Sequence, residues 1–379
     1  MMIHLLAGCI FLYVLIRLVL PLPVGGKFKL AAGVLLLLVS QQHVFVRHAF
    51  GNLASPELPV PLLLVSGWTF ISLLFLFVLL LARDILLLSR RLILGVRQGA
   101  DPPFSRGRRH AVLAAAAAIP AAYGIRQGII APDVHTVETR LARLPKELDG
   151  LTLVQISDLH VSPLLQEQRV RAVVDAVNAL EPDVILFTGD TVDGLPGRRA
   201  GSVAPLKDLR ARYGVFGCAG NHEYYGNYAA WMRTFPSLGL TMLLNRHVVL
   251  KIRGRELVLA GVTDIVAGRF SLPGPDIAQA LAGAPADAVR ILLDHRPGNA
   301  AENAGAGVDL QLSGHTHGGQ IVGMNQLVAR FNQGSLYGWY QVGAMRMYVS
   351  SGAGLWNGFP VRLGVPAEIA RIVLHGEAG

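Results

Sequence analysis

One apolar run that stops at an aspartate between glycines constrains this chain more than any other stretch. Residues 183–194 read DVILFTGDTVDG, so a β-branched, strand-like run delivers Asp190 to the point where the strand stops. Gly189 and Gly194 allow the backbone to turn tightly on either side of it. We therefore expect Asp190 at the end of a buried strand, close to other polar groups.

Four further polar clusters each follow a strand-like run. They are Asp158-Leu159-His160, Gly220-Asn221-His222-Glu223, Asp294-His295, and residues 314–320, which read GHTHGGQ. In a layered α/β domain, the ends of neighbouring strands can bring such ligands to a common centre. Asp, Asn and His ligands without cysteine favour Mn, Fe, Zn or similar ions over a structural zinc held by thiolates. The pattern therefore predicts a centre of two divalent metal ions at Asp190.

The ordered set of motifs resembles that of the calcineurin-like metallophosphoesterases. The order is D-x-H, G-D-x-x-D, G-N-H-E, a lone histidine and G-H-x-H, and the resemblance extends over residues 151–374. A C-terminal stretch, residues 348–369, is similar to the membrane-associated bacterial branch. The resemblance implies an α/β (α+β) fold of four layers, αββα, and a metal-dependent hydrolase of phosphoric ester or phosphoanhydride bonds.

The resemblance also implies a role for each site residue. One ion would be held by Asp158, His160 and His317, the other by Asn221, His295 and His315, and Asp190 would bridge both. His222 would act as a general acid, and Asp193 would accept a hydrogen bond from its other ring nitrogen.

Several residues keep more than one interpretation. A single Asp at a strand end is usually a turn former or a helix cap, and a single His is usually structural. The five motifs taken together favour the metal-site interpretation instead. Arg296 and Arg362 could contact a substrate anion or form salt-bridged scaffold, and Glu223 receives no assignment. A metal-binding membrane sensor or scaffold without turnover is the alternative function, against which the retention of His222 argues.

Charge and hydropathy divide the chain in two. Residues 1–130 hold 12 Lys+Arg and 3 Asp+Glu, whereas residues 131–379 hold 22 of each. The mean hydropathy of +0.45 is high for a wholly soluble protein. The basic excess therefore indicates membrane topology, and no nucleic-acid partner is expected.

Four apolar stretches precede the motifs, at residues 5–22, 30–46, 60–81 and 111–130. About 20 apolar residues span the hydrocarbon core of a bilayer. The sequence therefore predicts a membrane domain over residues 1–130 with about four transmembrane helices. A linker and entering strand would follow at 131–150, and the phosphoesterase domain at 151–379.

Basic residues predict the orientation. The segment 83–110 holds seven arginines, and Lys27 and Lys29 lie in the first loop, so the positive-inside rule places both loops in the cytoplasm. If residues 111–130 span the membrane, the catalytic domain is extracytoplasmic, which is our prediction; otherwise it is cytoplasmic. Residues 84–96 could lie flat at the membrane surface or continue the third helix. The expected location is a bacterial cytoplasmic membrane, with a multi-pass chain.

A membrane domain next to a phosphoesterase domain suggests a lipid-linked phosphate substrate. A phospholipid or a nucleotide-linked glycolipid would keep its chains in the bilayer while its head group reaches the metals. A soluble phosphodiester substrate is the alternative. The aromatic residues Trp339, Tyr340 and Trp356, expected in glycine-rich loops, either line a lipid-facing entrance or pack within the domain.

Overall fold

The computed structural model describes residues 2–50, 55–94 and 106–376. The chain divides into two compact units, Met1–Arg126 and Gln127–Gly379. The second unit contains all five polar motifs.

The described part of the first unit is helical. Its helices are α1 Met2–Val14, which runs on into a π-helical turn at Leu15–Val19, α2 Gly26–Ser40, α3 Gln42–Phe50, α4 Val60–Leu94 and α5 Arg106–Ile129. Two segments, Val60–Ile93 and Gly107–Ile129, are long and apolar enough to cross a membrane, and the pair α2 and α3 adds a third if it forms one span bent by 50°.

All four predicted stretches are thus helical, but the first two depart from simple spans. The apolar helix His4–Val19 is shorter than the other candidates. At 1.5 Å per residue it reaches about 24 Å, less than the roughly 30 Å hydrocarbon core. The second stretch breaks at Gln41, between α2 and α3. By length and composition, the described residues contain two or three helices that could span a membrane, compared with the predicted count of about four.

Helix α4 is the longest element of the chain. It continues without a break to Leu94, so the described part of the stretch 84–96 extends the third apolar helix. Its Asp84 lies beyond the uncharged part of the helix and accepts hydrogen bonds from Tyr13 at 2.7 Å and from Arg17 at 2.5 Å. Arg17 therefore has an ionic partner on a neighbouring helix.

Two six-stranded sheets form the centre of the second unit. The order in the first sheet is β1 Asp133–Leu141, β12 Glu368–Gly376, β2 Leu151–Ile156, β3 Val184–Thr188, β4 Val215–Cys218 and β5 Leu240–Met242. The order in the second sheet is β10 Gly338–Val342, β11 Met345–Val349, β9 Leu310–Ser313, β8 Val289–Leu293, β7 Arg255–Gly261 and β6 Arg246–Ile252.

The two sheets pack face to face over an apolar core. Side chains from both sheets meet in one cluster, which includes Leu153 and Leu186 of the first sheet and Ile291 and Leu312 of the second. Strand β3 is buried along its whole length, because its continuous apolar run has no polar face to present to water.

Helices cover the outer faces of both sheets. On the first sheet, α6 Glu167–Asn178 buries four valines that recur at helical spacing, and α7 Tyr228–Ser237 buries Trp231. The second sheet is covered by α8 Ile277–Ala280 and α9 Ala300–Gly305. The four-layer αββα architecture is therefore confirmed.

Two short strands, β5 and β10, have weak signals in the sequence. Strand β5 has only three residues, too few to show a periodic pattern. Strand β10 contains Trp339 and Tyr340, so their expected position in a glycine-rich loop is wrong. Trp339 packs against Tyr348 of β11 with ring centroids 4.9 Å apart, which supports the packing interpretation for this residue.

The parallel strands determine where the motifs meet. In the first sheet β2, β3 and β4 are parallel neighbours, and in the second sheet β8 and β9 are parallel neighbours. The carboxyl ends of these five strands carry the five motifs. A buried Gln155 in β2 donates a hydrogen bond of 2.8 Å to the carbonyl of Ser313 in β9, which ties the two sheets together at this edge.

Candidate metal centre

All predicted site residues lie at one edge of the sandwich, in the loops that follow the five parallel strands. Direct hydrogen bonds hold the loops of the two sheets together. The His315 backbone N–H donates to Asp158 Oδ2 at 3.0 Å, and His295 Nδ1 donates to the Thr188 carbonyl at 2.7 Å. The geometry of each ligand therefore depends on both sheets.

A first group of possible ligands consists of Asp158, His160 and His317, all buried. The Nε2 atoms of the two histidines lie 3.1 Å apart, and Asp158 Oδ1 lies 3.4 Å from His317 Nε2. Nδ1 of His160 lies 3.0 Å from an Asp193 oxygen, so the proton of a neutral ring sits there and Nε2 is left with its lone pair. Three donor atoms thus face one point.

A second group consists of Asp190, His295 and His315. Asp190 Oδ2 lies 3.2 Å from His295 Nε2 and 3.8 Å from His160 Nε2, so it is close to both groups. Its other oxygen, Oδ1, accepts the backbone N–H of His222 at 2.8 Å, which fixes the carboxylate. Asn221 reaches the same region, where its Oδ1 lies 2.9 Å from Arg296.

Asp193 connects the two predicted functions of the site. Its Oδ1 lies 2.6 Å from Nδ1 of His222, the expected pairing, and 3.0 Å from Nδ1 of His160. A single carboxylate oxygen therefore orients both a possible metal ligand and a possible general acid. The second of these contacts was not predicted from the sequence.

Many of these residues have a backbone conformation that is unusual for side chains other than glycine. Positive φ angles between 47° and 70° occur at Asp158, His160, Asp190, His315 and His317. Each such residue costs about 1–2 kcal/mol relative to an ordinary conformation. Loop hydrogen bonds, such as that from the His160 N–H to the Asp190 carbonyl at 3.0 Å, hold the chain in it.

Two glycines allow the loops to approach the carboxylates closely. A Cβ on Gly220 would lie 2.2 Å from Asp190 Oδ1, and a Cβ on Gly314 would lie 2.2 Å from Asp158 Oδ2. Any side chain at either position would displace a ligand. The glycines that precede Asn221 and His315 are therefore part of the site geometry.

Burial and neighbouring charges divide the histidines into two kinds. Burial opposes the charged form of His295 and His222, but the surrounding carboxylates, Asp190 foremost, together outweigh it and raise the pKa to about 10 for His295 and about 9 for His222. Burial lowers the pKa of His315 and His317 well below the ordinary value, so these rings stay neutral.

The donor set fits divalent cations. Nδ1 of His295 donates to the Thr188 carbonyl, so a neutral ring turns the lone pair of its buried Nε2 toward Asp190 Oδ2, 3.2 Å away. A neutral ring in this tautomer would place two acceptors opposite each other, which a cation between them relieves. Carboxylate, amide and imidazole donors without sulfur suit Mn, Fe, Zn and similar ions.

Comparison with known proteins agrees with this geometry. Residues 151–319 match the calcineurin-like phosphoesterase family, a range that includes every predicted ligand. An uncharacterized metallophosphoesterase of Bacillus subtilis is 30% identical over 282 residues, which cover 72% of this chain and 96% of that protein. The chain belongs to the calcineurin-like phosphoesterase family.

Two further relatives are named as transmembrane proteins. A transmembrane protein with metallophosphoesterase domain from Danio rerio is 35% identical over 267 residues, which cover 68% of this chain and 60% of that protein. Its Bos taurus counterpart is 38% identical over 64% of this chain and 57% of that protein. The chain thus matches about three fifths of the length of these two relatives.

Solved structures give weaker similarity. A 5'-nucleotidase precursor from Thermus thermophilus superposes with a TM-score of 0.38 at 16% identity, over 59% of this chain and 54% of that one. An archaeal phosphodiesterase superposes with a TM-score of 0.30 at 11% identity, over 53% and 84% of the two chains. Because both scores are below 0.5, neither protein's activity bears on this chain.

Glu223 is a functional residue that the sequence interpretation left without a role. Its fully buried carboxylate accepts backbone N–H groups from Asp190 and Gly220 on Oε2, at 3.1 and 2.7 Å, and from Thr191 and Val192 on Oε1, at 2.7 and 3.3 Å. The position of a glutamate three residues after Gly220, at the start of a helix, is the signal that could have identified it.

The contacts of Arg362 distinguish between its two interpretations. Its side chain is completely buried, and its Nη2 donates to the carbonyls of Ser351 and Gly354 at 2.7 and 2.6 Å. Nη2 also lies 3.3 Å from Nδ1 of His317. Arg362 therefore supports the loop beneath the first ligand group, which favours the scaffold interpretation over contact with a substrate anion.

Replacing Glu223 with Gln should destabilise the fold and loosen the Asp190 loop. The amide keeps one acceptor oxygen, so two of the four buried N–H groups lose their partner, at about 1–3 kcal/mol each. The full chain in detergent should show a lower unfolding midpoint by tryptophan fluorescence. Glu256→Gln, at an exposed position of β7, is the matched control. Equal midpoints for the two variants would contradict the proposed role of Glu223.

Proposed function

We propose that the chain hydrolyses a phosphoric ester or phosphoanhydride bond at a centre of two divalent metal ions. The observation that carries the proposal is the position of Asp190 Oδ2, which is close to ligand atoms of both groups. A carboxylate in that place can bridge two cations, the arrangement that two-metal hydrolysis requires.

Each group would hold one ion. Asp158, His160 and His317 would bind the first, Asn221, His295 and His315 the second, and Asp190 both. When bound, such a pair supplies Lewis-acid activation of water and neutralises charge on the phosphoryl oxygens. The identity of the ions is left open among Mn, Fe, Zn and similar metals.

His222 would donate the proton that the leaving oxygen requires. Its Nδ1 is engaged by Asp193 at 2.6 Å, so Nε2 is the nitrogen that would donate to the substrate. Asp193 stabilises the protonated ring and holds its orientation, as a general acid requires. A sensor or scaffold without turnover has no need of this pair, and we therefore favour the enzyme.

A lipid-linked phosphate substrate is the finer proposal. Two segments beside the site expose large apolar side chains, namely Phe270 in residues 265–272 and Phe331 in residues 322–337. Phe270 packs on Tyr225, which in turn lies 5.4 Å from the His222 ring, and Trp356 lies 6.1 Å from the same ring.

The charge of these two segments fits an anionic lipid surface. Each contains one arginine, Arg269 or Arg330, and neither contains a carboxylate. An apolar surface with basic residues favours binding to membranes that contain anionic lipids. The substrate would be a phospholipid or a nucleotide-linked glycolipid.

The proposed location is the cytoplasmic membrane, with a multi-pass chain and an extracytoplasmic catalytic domain. The length and composition of Gly107–Ile129 support the spanning alternative for the last apolar stretch. The arginine-rich segment 83–110 that predicts the orientation lies partly outside the described residues, at 95–105. Because related proteins occur in both animals and bacteria, the bacterial assignment stays a prediction.

Metal-dependent hydrolysis is the first expected result. The full chain in detergent should hydrolyse bis-p-nitrophenyl phosphate with Mn²⁺ or Zn²⁺ and lose activity with a chelator. Asp190→Asn should weaken metal binding and abolish turnover. His222→Ala should keep metal binding but lower kcat by about 10²–10⁴-fold, the usual contribution of a general acid. His247→Ala, on β6, is the control; metal binding without turnover of any ester would favour the sensor.

The pH dependence should report on His222. Burial opposes protonation of this ring, but in the metal-free chain Asp190 and Asp193 raise its pKa to about 9. Cations bound at Asp190 would offset that carboxylate and leave Asp193 as the group that favours the protonated ring, and the acid form is lost as pH rises through the pKa of the ring. Asp193→Asn removes one of the two carboxylates, and the alkaline limb of kcat should move to lower pH at saturating metal. Asp287→Asn, at an exposed position, should leave the limb unchanged. An unmoved limb in Asp193→Asn would exclude His222 as the acid.

Contact of the apolar segments with lipid can be measured in proteoliposomes. A Cys9→Ser background removes the exposed native thiol, and Leu327→Cys carries an environment-sensitive fluorophore. Spin-labelled anionic lipids should quench this probe strongly. The same probe at Val249→Cys, an exposed apolar position on β6, should be quenched little. Equal quenching at the two positions would contradict the lipid-facing assignment.

A further inference from the structure

Arg296 makes three side-chain contacts at the second ligand group. Its Nη2 donates to Asn221 Oδ1 at 2.9 Å, and its Nη1 lies 2.8 Å from His315 Nε2. Its Nε donates to Asp264 Oδ2 at 2.7 Å. One guanidinium therefore joins three separate loops.

Two of these partners are the residues proposed to bind the second ion. The amide oxygen of Asn221 is its only side-chain acceptor. An N–H that donates to Nε2 of His315 uses the lone pair of that nitrogen and leaves the ring proton on Nδ1, so a neutral ring has no lone pair for a metal. In this arrangement, a cation of the chain itself engages both ligands.

Asp264 keeps the guanidinium in place. Its carboxylate is fully buried, and besides Arg296 it accepts the backbone N–H of Val266 at 2.7 Å. A buried carboxylate that loses its cationic partner is strongly destabilised. Movement of the Arg296 head group away from the subsite therefore has to preserve the contact with Asp264 or weaken the fold.

A guanidinium contacts the first ligand group less closely. Arg362 reaches one ligand of this group, with its Nη2 3.3 Å from Nδ1 of His317, a longer contact than either of the two that Arg296 makes. His160 directs its Nδ1 at Asp193 and keeps Nε2 for a metal. The two subsites thus differ in how many ligands a guanidinium contacts and at what distance.

We propose that Arg296 acts as a built-in cation at the second metal subsite, so that the chain binds its two ions unequally. The first ion binds at Asp158, His160, His317 and Asp190. The second binds only when the guanidinium moves off Asn221 and His315. If the subsite is open in about one molecule in ten or fewer, its apparent affinity falls by about tenfold or more. The proposal rests on the ligand assignment of the proposed function.

The test is a titration of the metal-free full chain in detergent with Mn²⁺. Electron paramagnetic resonance of free Mn²⁺ and calorimetry together give the number of sites and the affinity of each, without substrate or turnover. The wild-type chain should bind one ion tightly and a second at least about tenfold more weakly. In Arg296→Gln the second affinity should approach the first.

Two further variants keep the result interpretable. Arg296→Gln leaves Asp264 without its partner, so the double variant Asp264→Asn/Arg296→Met removes the buried pair together and protects the fold. It should show the same gain in the second affinity. Arg290→Gln replaces an arginine of β8 that contacts the Ala306 carbonyl, and it should leave both affinities at their wild-type values.

The outcomes separate this inference from the proposed function. Two equally tight sites in the wild-type chain, or an unchanged weak second site in both Arg296 variants, would overturn the role of Arg296 alone. Unchanged binding of both ions in Asp190→Asn would instead overturn the ligand assignment on which both proposals rest. A second affinity that rises only in the Arg296 variants supports the inference.

Discussion

The carboxylate of Glu223 holds together the loops on which the rest of the site depends. Four backbone N–H groups from the loops after β3 and β4 converge on its two oxygens, in a place from which water is excluded. Those loops carry Asp190 and Asn221. Hydrogen bonds to a charged acceptor are stronger than those between neutral groups, and this strength opposes the strain of the left-handed backbone at Asp190.

The site places negatively charged carboxylates close together, and their repulsion destabilises the fold unless positive groups offset it. Asp158 and Asp190 are both buried, and burial raises the pKa of Asp158. Imidazoles beside them reduce the repulsion, and His295 and His222 gain protons more readily as a result. Arg296 adds a further positive charge next to the buried Asp264. In each case a positive group compensates a carboxylate that an uncharged core would not tolerate.

Much of the fold and of the site follows from local sequence. Strand β8 begins and ends where its apolar run does, and the motif residues lie at strand ends because a strand cannot continue through glycine and clustered polar groups. The valines that recur at helical spacing in α6 are the residues that its buried face contains. These features are encoded within a dozen residues, where periodicity and turn chemistry are informative.

The remaining features depend on contacts between distant parts of the chain. Asp193 shares one oxygen between His160 and His222, and Arg296 reaches Asn221, but neither contact has a signature in the spacing of the residues. Arg362 was ambiguous because burial of an arginine among carbonyls is invisible in sequence. Strand β10 was missed since its pairing with β11 is recognised only once the sheet is assembled.

The hydrogen bonds that cross between the sheets have a thermodynamic consequence. Gln155 donates to the Ser313 carbonyl, His295 to the Thr188 carbonyl and the His315 N–H to Asp158. Each ligand group also takes residues from the loops of both sheets, so neither group is complete in one sheet alone. An ion that binds only the assembled arrangement draws the folding equilibrium toward it by mass action. Metal supply would then govern not only turnover but also the fraction of chains whose two sheets remain joined.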